Sequence, residues 1–411
     1  MARNSDDTSF NDEDRVPSWH PDHSVESLIN LVRTGRVEKV ALVGAGVVGA
    51  LTAHFVLMAA REVGREVRIV LIDDGRGGAS DGSGAWHMPF ANPDTRVATW
   101  ARRSFVEWPE ILGEAGLSGF REAMPSLFVS RLQDGVPVPD GHPGRATPID
   151  PADFDLPFWH RGMWIDDGSV ISSCTLMPRW RQALEADPSV IVVRNHVRGP
   201  ADVVTLSETY GVDVVVVAAG ARTRFVIGEG REGDQRFDAD FGVLVHGELE
   251  ALPEMFKHVV VMDEDLNHEL TYSIPHLRCG HVWFGGVCNE ILDEEADMED
   301  ILAANRDIAV APDFARDHLL AVHDRIRERM PMLAPALPAD PLAPGSYWFG
   351  LRPRASKVIA EWQLVGSLPM LVIGGMGGSG FTIGPAVVSD ALRLPLPEGH
   401  QIHPGNTRTE D

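Results

Sequence analysis

An arginine among apolar neighbours is the first residue of this sequence that invites a chemical explanation. Arg352 follows the stretch WFGL (348–351) and precedes Pro353. A guanidinium keeps its charge and is costly to bury without a counter-charge. Its planar fork can pair with both oxygens of a carboxylate. The pattern therefore indicates either a clamp for a carboxylate ligand or an internal ion pair on a strand.

A second group of residues is suited to holding phosphates. Gly44-Ala-Gly46-Val-Val-Gly49 lies between a predicted strand and a predicted helix. In that context the glycines permit a tight turn, a close approach of backbone to a pyrophosphate, and close packing of helix on strand. The N–H groups that begin the helix then face the phosphates. The motif by itself does not distinguish FAD from NAD.

An acidic pair follows this motif. Asp73 ends the next predicted strand, 24 residues after Gly49, and Asp74 is adjacent. An acid at this place accepts hydrogen bonds from the hydroxyls of a ribose and disfavours a 2′-phosphate. Either carboxylate can take that role.

These residues need a parallel sheet to position them. The pattern predicts a strand and turn over 37–46, a helix over 47–62 and a strand over 66–73, an order that implies parallel pairing. Further strands are predicted at 189–197 and 212–220, and a strand, glycine loop and helix at 367–394.

We therefore predict an α/β protein with two domains. A Rossmann-like nucleotide-binding domain is assembled from 37–92, 165–225 and 355–395. The intervening segments, 93–164 and 226–354, are rich in Trp and Pro and are predicted to form an inserted substrate domain, α+β with a mixed sheet. Outside these lie an N-terminal extension, 1–36, disordered up to residue 23 with an amphipathic helix over 24–36, and a tail, 396–411.

Composition excludes several classes of protein. The chain is 44% hydrophobic and 23% charged, as soluble globular proteins are, and its net charge of −24 argues against binding nucleic acid or an anionic membrane. Cys174, Cys279 and Cys288 lack metal-ligand spacing, so no metal site is predicted. The acidic N-terminus lacks the features of a signal peptide, and together with the few cysteines it predicts a cytoplasmic location.

Four stretches of the chain resemble the D-amino acid oxidase family of flavoproteins, within the wider glycine oxidase and sarcosine oxidase superfamily. VALVGAGVVG (40–49) is similar to the opening strand and turn of that family, and DVVVVAAGAR (213–222) to the segment that returns to the flavin. GLRP (350–353) is similar to the stretch whose arginine grips the substrate carboxylate, and GGMGGSGFTIGPA (374–386) to the loop and helix beside the flavin ring. The resemblance covers residues 37–395.

A narrower similarity concerns TYSIPHLRCG (271–280). It resembles the Tyr-x-x-Pro-Tyr segment of D-amino acid oxidases, so Tyr272 falls on the tyrosine that hydrogen-bonds the carboxylate and His276 on the one that lies over the substrate. The resemblance implies that Arg352, Tyr272 and His276 form the catalytic site. It also implies FAD as cofactor, held by Gly44, Gly46, Val47, Val48, Gly49, Asp73, Asp74, Trp86, His87, Val197, Gly220, Gly377, Gly378, Ser379, Gly380, Phe381 and Thr382.

Three positions depart from the family pattern. His276 replaces a phenol with a group that titrates near neutral pH, and it either bonds a polar substrate side chain or fills space. Met376 stands where the family often has histidine. Trp86-His87 resembles the pair that carries a covalent flavin in sarcosine and dimethylglycine dehydrogenases, so His87 is expected either to bond the flavin covalently or to contact its ring.

The resemblance implies a function. We expect FAD-dependent oxidation of a D-amino acid or related amino acid, by hydride transfer from Cα to flavin N5, with O2 or another compound as final electron acceptor. Positioning by Arg352 supplies much of the acceleration, and no side-chain base is required. The alternatives are an oxidase or dehydrogenase of N-substituted or cyclic amino acids, a tailoring enzyme for one unusual amino acid, and an idle flavin-binding subunit. A homodimer is compatible with this reading, but the sequence does not determine the oligomeric state.

Overall fold

A computed structural model describes most of the chain. The described residues are 26–87, 95–130, 146–154, 161–228, 237–263, 270–286, 291–292 and 294–396. The predictions for residues 1–25 and 397–411, and the cysteine at position 288, lie outside them.

The helices of the described residues are α1 Leu28–Thr34, α2 Val47–Glu62, α3 Thr95–Glu114, α4 Ser173–Ala186, α5 Pro200–Tyr210, α6 Thr223–Val226, α7 Glu295–Ala304, α8 Asp313–Arg329 and α9 Gly380–Ala391. Their strands are β1 Lys39–Val43, β2 Arg68–Asp73, β3 Trp86–His87, β4 Arg121–Ala123, β5 Ser126–Ser130, β6 Ala146–Ile149, β7 Arg161–Ile165, β8 Ser169–Ile171, β9 Val190–Arg194, β10 Val214–Val217, β11 Asp238–Glu248, β12 Val259–Asp263, β13 Leu270–His276, β14 His281–Gly286, β15 Ile291–Leu292, β16 Tyr347–Val365 and β17 Leu368–Met376.

One part of the main sheet is parallel. Its strand order is β9-β2-β1-β10-β17, and each neighbouring pair is parallel. Val40 and Leu42 of β1 face a core shared with α2, α4 and α9, while Ala41 and Val43 face a second core on the side of α5. Side chains alternate across a strand, so a continuous apolar strand such as β1 covers both layers. The strands predicted at 37–46, 66–73, 189–197, 212–220 and 367–394 are thus confirmed, and the fold is α/β with helices on both faces.

The other part of the sheet is mixed and continues from the first. Its order is β6-β7-β5-β12-β13-β14-β11-β16, in which β12 and β5 are parallel and the other pairs are antiparallel. Helices α7 and α8 cover one face of it. The 19-residue strand β16 joins both parts: it pairs with β11 up to Arg354, and with β17 at Arg354 and again from Ile359, with a register shift between these two residues. The mixed sheet predicted for the inserted part is therefore present.

Helix α3 packs with the nucleotide-binding elements although our boundaries place it in the substrate domain. The indole N–H of Trp100 and the guanidinium of Arg103 both bond the carboxylate of Asp390 on α9, at 2.8 and 2.7 Å. Trp108 donates to the carbonyl oxygen of Phe381 at 2.7 Å. The division into domains stays a prediction, and this packing favours counting α3 with the nucleotide-binding part.

The helix predicted over 24–36 is present as α1. The side chain of Ser27 caps it, and the backbone N–H of Ile29 donates to the carbonyl oxygen of Leu392 beyond α9. None of the helices in the described ranges combines the length and the apolar composition that a bilayer crossing needs. The cytoplasmic location and the homodimer stay predictions.

Candidate active site

The turn between β1 and α2 packs without side chains. Gly44 has a φ of +106°, and a Cβ there would collide with the carbonyl oxygen of Ala218 on the segment after β10. A Cβ on Gly49 would collide with the carbonyl oxygen of Gly44. The first and third glycines of the motif therefore allow strand and helix to meet at van der Waals distance, as predicted.

Two residues that the sequence analysis missed surround the start of α2. The hydroxyl of Ser80 accepts a hydrogen bond from the N–H of Val47 at 3.0 Å. Arg181 on α4 donates to the carbonyl oxygen of Ala45 at 2.9 Å and forms an ion pair of 2.6 Å with Asp81. A positive side chain thus adds to the positive end of the helix, and both favour a bound anion.

A cavity of about 450 Å³ joins this turn to the mixed sheet. It begins at the carboxyl ends of β1, β2 and β10 and reaches β13 and β16, which is where ligands of open α/β sheets bind. The predicted cofactor residues that line it are Gly44, Gly46, Val47, Val48, Asp73, Asp74, Trp86, Val197, Gly220, Gly377, Gly378, Gly380, Phe381 and Thr382. Gly49, His87 and Ser379 do not line it.

The cavity wall is suited to a dinucleotide because much of it is bare backbone. Gly78, Gly220 and Gly377 line the cavity, and a Cβ on any of them would meet no protein atom within 4 Å. Side chains at these places would occupy the space of the ligand instead. This cradle, the anion-binding start of α2 and the acidic end of β2 together fit FAD.

The two carboxylates after β2 line the cavity and differ in their partners. Asp73 accepts a hydrogen bond from Arg194 at 2.6 Å, and burial raises its pKa against the charges of Arg181 and Arg194. Burial acts in the same direction on Asp74, but hydrogen bonds from the backbone N–H of Arg76 and from His196 outweigh it, so the pKa of Asp74 is lowered. Asp74 is therefore the more strongly ionised of the two. Which one bonds a ribose stays a prediction.

Arg352 lies at the other end of the cavity and has an internal counter-charge. Its Nη2 donates to the carbonyl oxygen of Phe241 at 2.8 Å and lies 3.0 Å from Oδ2 of Asp240. Asp240 lies on β11, directly opposite Arg352 in the strand pair. Its side chain is 22% exposed, lines the cavity, and has its Cδ beside the glycine loop, 3.6 Å from where a Cβ on Gly378 would stand. Both readings of the sequence therefore apply, since the arginine is ion-paired on a strand and also faces the cavity.

Asp240 is a functional candidate that the sequence analysis missed. It is 9% exposed, and burial raises its pKa, while the Arg352 guanidinium opposes that rise. A ligand carboxylate at Arg352 would share the guanidinium with this side chain. Asp240 stands 112 residues before Arg352 in sequence, so only the pairing of β11 with β16 connects them.

Tyr272 lines the cavity from β13. Its ring lies over Gly285 on β14, where any Cβ would overlap the ring. Burial raises the pKa of Tyr272, and the positive charge of Arg352 opposes the rise only in part. The phenol is therefore protonated near neutral pH and is available as a donor.

His276 does not line the cavity, although the resemblance implies that it lies over the substrate. Its ring is fully buried and stacks on Trp283 with 4.4 Å between centroids, and it is not among the residues that line the cavity. It shares a strand face with Tyr272, but four residues of strand separate them by about 13 Å. The histidine thus falls at the hairpin end of β13, beyond the cavity.

His87 does not line the cavity either, although the resemblance implies a covalent bond or a contact with the flavin ring. Trp86 faces the cavity, so the next residue of β3 faces the opposite way. The imidazole of His87 bonds the carbonyl oxygen of Ala101 at 3.3 Å and packs edge-on against Phe105 of α3. Burial lowers its pKa to about 3. In this position the imidazole faces α3 and does not line the cavity.

The fold is shared with solved structures of low sequence identity. Iminodiacetate oxidase from Chelativorans sp. BNC1 has a TM-score of 0.57 at 15% identity, with 85% of this chain and 93% of that chain covered. Glycine oxidase from Bacillus cereus ATCC 14579 has a TM-score of 0.58 at 12% identity, with 86% and 94% covered. L-proline dehydrogenase from P. horikoshii has a TM-score of 0.59 at 16% identity, with 90% and 95% covered. Among curated protein sequences, none matches this chain significantly.

A family model establishes what the fold alone does not. The model described as DAO, FAD dependent oxidoreductase, matches residues 39–388, from the first residue of β1 into α9. That range includes both ends of the cavity, the glycine turn and the glycine loop before α9. The chain therefore belongs to the DAO family of FAD-dependent oxidoreductases, and FAD is its cofactor.

Proposed function

We propose that this enzyme oxidises a D-amino acid or a related amino acid at its Cα–N bond. The products are an imino acid, which water hydrolyses to a keto acid, and the reduced cofactor; with O2 as acceptor, hydrogen peroxide follows. The observation that carries the proposal is the position of Arg352 and Tyr272 in the cofactor cavity, beside the loop at Gly378.

The side chains of this site act by positioning. Arg352 would hold the substrate carboxylate, and the protonated Tyr272 would donate a hydrogen bond to the same group. The Cδ of Arg352 lies 3.6 Å from where a Cβ on Gly378 would stand, so a carboxylate held by Arg352 would lie close to the glycine loop at 377–378. Bound FAD supplies the two-electron acceptor for the Cα–H bond.

A dedicated base is not needed in this scheme. Besides Arg352 and Tyr272, the titratable residues that line the cavity within the described ranges are Asp73, Asp74, Arg181, His196 and Arg222. Asp73 ends β2 and Asp74 follows it. His196 and Arg222 follow β9 and β10, and Arg181 lies on α4, so all five belong to the nucleotide-binding side. The amine must therefore be neutral when it reacts, and fixing the geometry supplies the acceleration.

A second candidate is oxidation of N-substituted or cyclic amino acids. Two of the similar structures are named for such substrates, iminodiacetate and L-proline. Arg352 and Tyr272 serve this reaction equally well, because both bind the carboxylate and not the amine. The clamp alone does not separate the two candidates.

Anaerobic reduction of the flavin tests the proposal. The holoenzyme is mixed with separate pools of D-amino, L-amino and N-alkyl amino acids, and the visible flavin band is followed. Bleaching with the D-pool supports the first candidate and bleaching with the N-alkyl pool the second. A flavin that dithionite reduces but no pool bleaches would indicate a specialised substrate or an idle site, against the proposal.

Arg352→Met tests the clamp, and Arg354→Met is its matched control. Arg354 stands two residues along β16, is exposed, and does not line the cavity. We expect the Arg352 variant to retain FAD and to lose flavin reduction by at least ~100-fold, as for a lost charged hydrogen bond. The Arg354 variant should reduce at the wild-type rate. Equal rates in both variants would remove the clamp from the proposal.

A further inference from the structure

Two cysteines and a histidine meet outside the cavity. The Sγ atoms of Cys174, in the first turn of α4, and Cys279, in the β13–β14 turn, are 2.7 Å apart. A nitrogen of His276 and both sulfurs lie within 4.8 Å of one another. The histidine is fully buried, and neither of its ring nitrogens has another hydrogen-bond partner among the described residues.

The thiols are positioned for reaction with each other. The sulfurs would have to approach by about 0.6 Å to reach a disulfide bond length. Both cysteines are half-buried, and Cys279 lies in a turn whose Leu277 is 47% exposed. A small reagent can therefore reach the pair from solvent.

The surroundings favour a thiolate at Cys279. A hydrogen bond from Cys174 and, to a smaller extent, the hydrogen bond and charge of His276 together lower the pKa of the Cys279 thiol to about 5, against the effect of burial. The other charged or titratable groups that act on it are His281 on β14 and Glu122 on β4. Since the thiolate is the form that attacks a disulfide, Cys279 is the nucleophile of the pair.

We propose that Cys174 and Cys279 form a reversible disulfide, with His276 holding the proton that Cys279 gives up. The oxidant is a low-molecular-weight disulfide. The Cys279 thiolate attacks one of its sulfurs and releases one thiolate, which leaves a mixed disulfide. Cys174 then loses its proton and attacks the Cys279 sulfur, which releases the second small thiol. Two protein thiols are thus oxidised and one small disulfide is reduced.

A metal site is the rival explanation of this cluster. Two thiolates on one tetrahedral zinc stand about 3.7 Å apart when each Zn–S bond is about 2.3 Å. The observed 2.7 Å is shorter, and the described residues supply only three ligands. The geometry therefore favours the disulfide.

A disulfide here would connect the two ends of the cavity. Helix α4 carries Arg181 at the cofactor end, and strand β13 carries Tyr272 at the substrate end. The two cysteines are 105 residues apart in sequence. The bond would fix the hairpin β13–β14 against the nucleotide-binding part.

Thiol counting on the FAD-loaded protein tests the proposal. Reduced protein is exposed to oxidised glutathione, alkylated and denatured, and the mass of the intact chain is then measured by mass spectrometry. The wild-type chain has three cysteines, so we expect three alkyl groups before oxidation and one after. The Cys288→Ser variant should go from two to none, and peptide mapping should find the bond between positions 174 and 279. In Cys174→Ser, which lacks the second thiol, Cys279 should retain a glutathione adduct.

Two results would overturn the proposal. One is a Cys288→Ser protein that keeps two alkylatable thiols after treatment with oxidised glutathione, or that carries two glutathione adducts and no bridge. Complete oxidation of dithiothreitol in the same tube is the control that the oxidised glutathione was active. The other is a stoichiometric zinc ion in the wild-type protein that is absent from Cys174→Ser.

The role of His276 has its own readout. In Cys174→Ser/Cys288→Ser protein, the midpoint of the pH profile for alkylation of Cys279 should rise by about one unit on His276→Asn substitution. A purely structural histidine would leave the midpoint unchanged.

Discussion

The β1–α2 turn and the strands β13 and β16 both offer groups to an anion, but by different means. At the turn it is the positive end of helix α2, which Gly44 and Gly49 allow to pack closely on the sheet. At the strands they are the side chains of Arg352 and Tyr272, which reach the cavity only because of strand direction and pairing. The first arrangement is contained in a few consecutive residues, and the second draws on strands that are far apart in sequence.

This difference explains which predictions held. A turn motif places its own backbone, so Gly44, Gly46, Val47 and Val48 line the cavity, and their contact with FAD stays a prediction. A side chain on a strand depends on its neighbours, and there the outcome was mixed.

Gly44→Ala should have the largest effect on cofactor binding. An alanine at position 44 would have to adopt a φ near +106°, and its methyl group would collide with the backbone at Ala218, so the turn must move away from β10. We expect FAD affinity to fall by at least ~30-fold, equivalent to about 2 kcal/mol. The ratio of flavin absorbance to protein absorbance after gel filtration measures this loss.

Gly64→Ala is the control for backbone strain. Gly64 also has a positive φ, +67°, but a Cβ there meets nothing within 4 Å. That variant should lose about 1 kcal/mol of unfolding free energy and bind FAD normally. If Gly44→Ala binds FAD as well as Gly64→Ala does, close packing at the turn is not what holds the cofactor.

Tyr272→Phe should weaken ligand binding at the substrate end. It removes the hydroxyl and keeps the ring over Gly285. A hydrogen bond to a charged group contributes about 1.5 kcal/mol, so we expect the Kd of a simple carboxylate such as propionate to rise ~10-fold. Titration of the flavin spectrum measures it. Tyr347→Phe is the control. The hydroxyl of Tyr347 donates to the carbonyl oxygen of Ala304 at 2.8 Å, so its loss should lower the melting temperature and leave this Kd unchanged.

The physical limits of sequence reading appear at three residues. Asp240 meets Arg352 across a strand pair that no local pattern specifies. His276 has the correct spacing from Tyr272 and the correct strand face, but the cavity does not extend that far along β13. His87 follows Trp86 on a two-residue strand, and the alternation of side chains turns it towards α3. Motif spacing identified the cavity, whereas the depth and direction of individual side chains required tertiary structure.

Asp240→Asn should strengthen carboxylate binding. The substitution removes the charge that competes for Arg352, while the hydrogen bond from Arg352 to the carbonyl oxygen of Phe241 keeps the guanidinium in place. We expect the Kd of propionate to fall ~5-fold, equivalent to about 1 kcal/mol. Asp238→Asn, two residues along β11 and opposite Arg354, is the matched control. Weaker binding in the Asp240 variant would mean that this carboxylate orients the arginine instead of competing for it.

His87→Gln should have the smallest effect on cofactor and ligand binding, and it tests whether this histidine is structural. The folded protein keeps His87 neutral because burial lowers its pKa to about 3, whereas the unfolded chain takes up a proton below pH 6.5. Unfolding therefore binds a proton as the pH falls from 6.5 towards 3, and stability is lost over that window. At pH 5 the loss from this one group is ~2 kcal/mol. The glutamine does not titrate and can still donate to Ala101, so the melting temperature of the variant should fall less between pH 7.5 and pH 5, by a few degrees.

Acid precipitation of both proteins is the second measurement, and it should release all flavin from each. Yellow colour that stays with the wild-type precipitate but is released from the precipitate of the variant would instead place His87 at the cofactor.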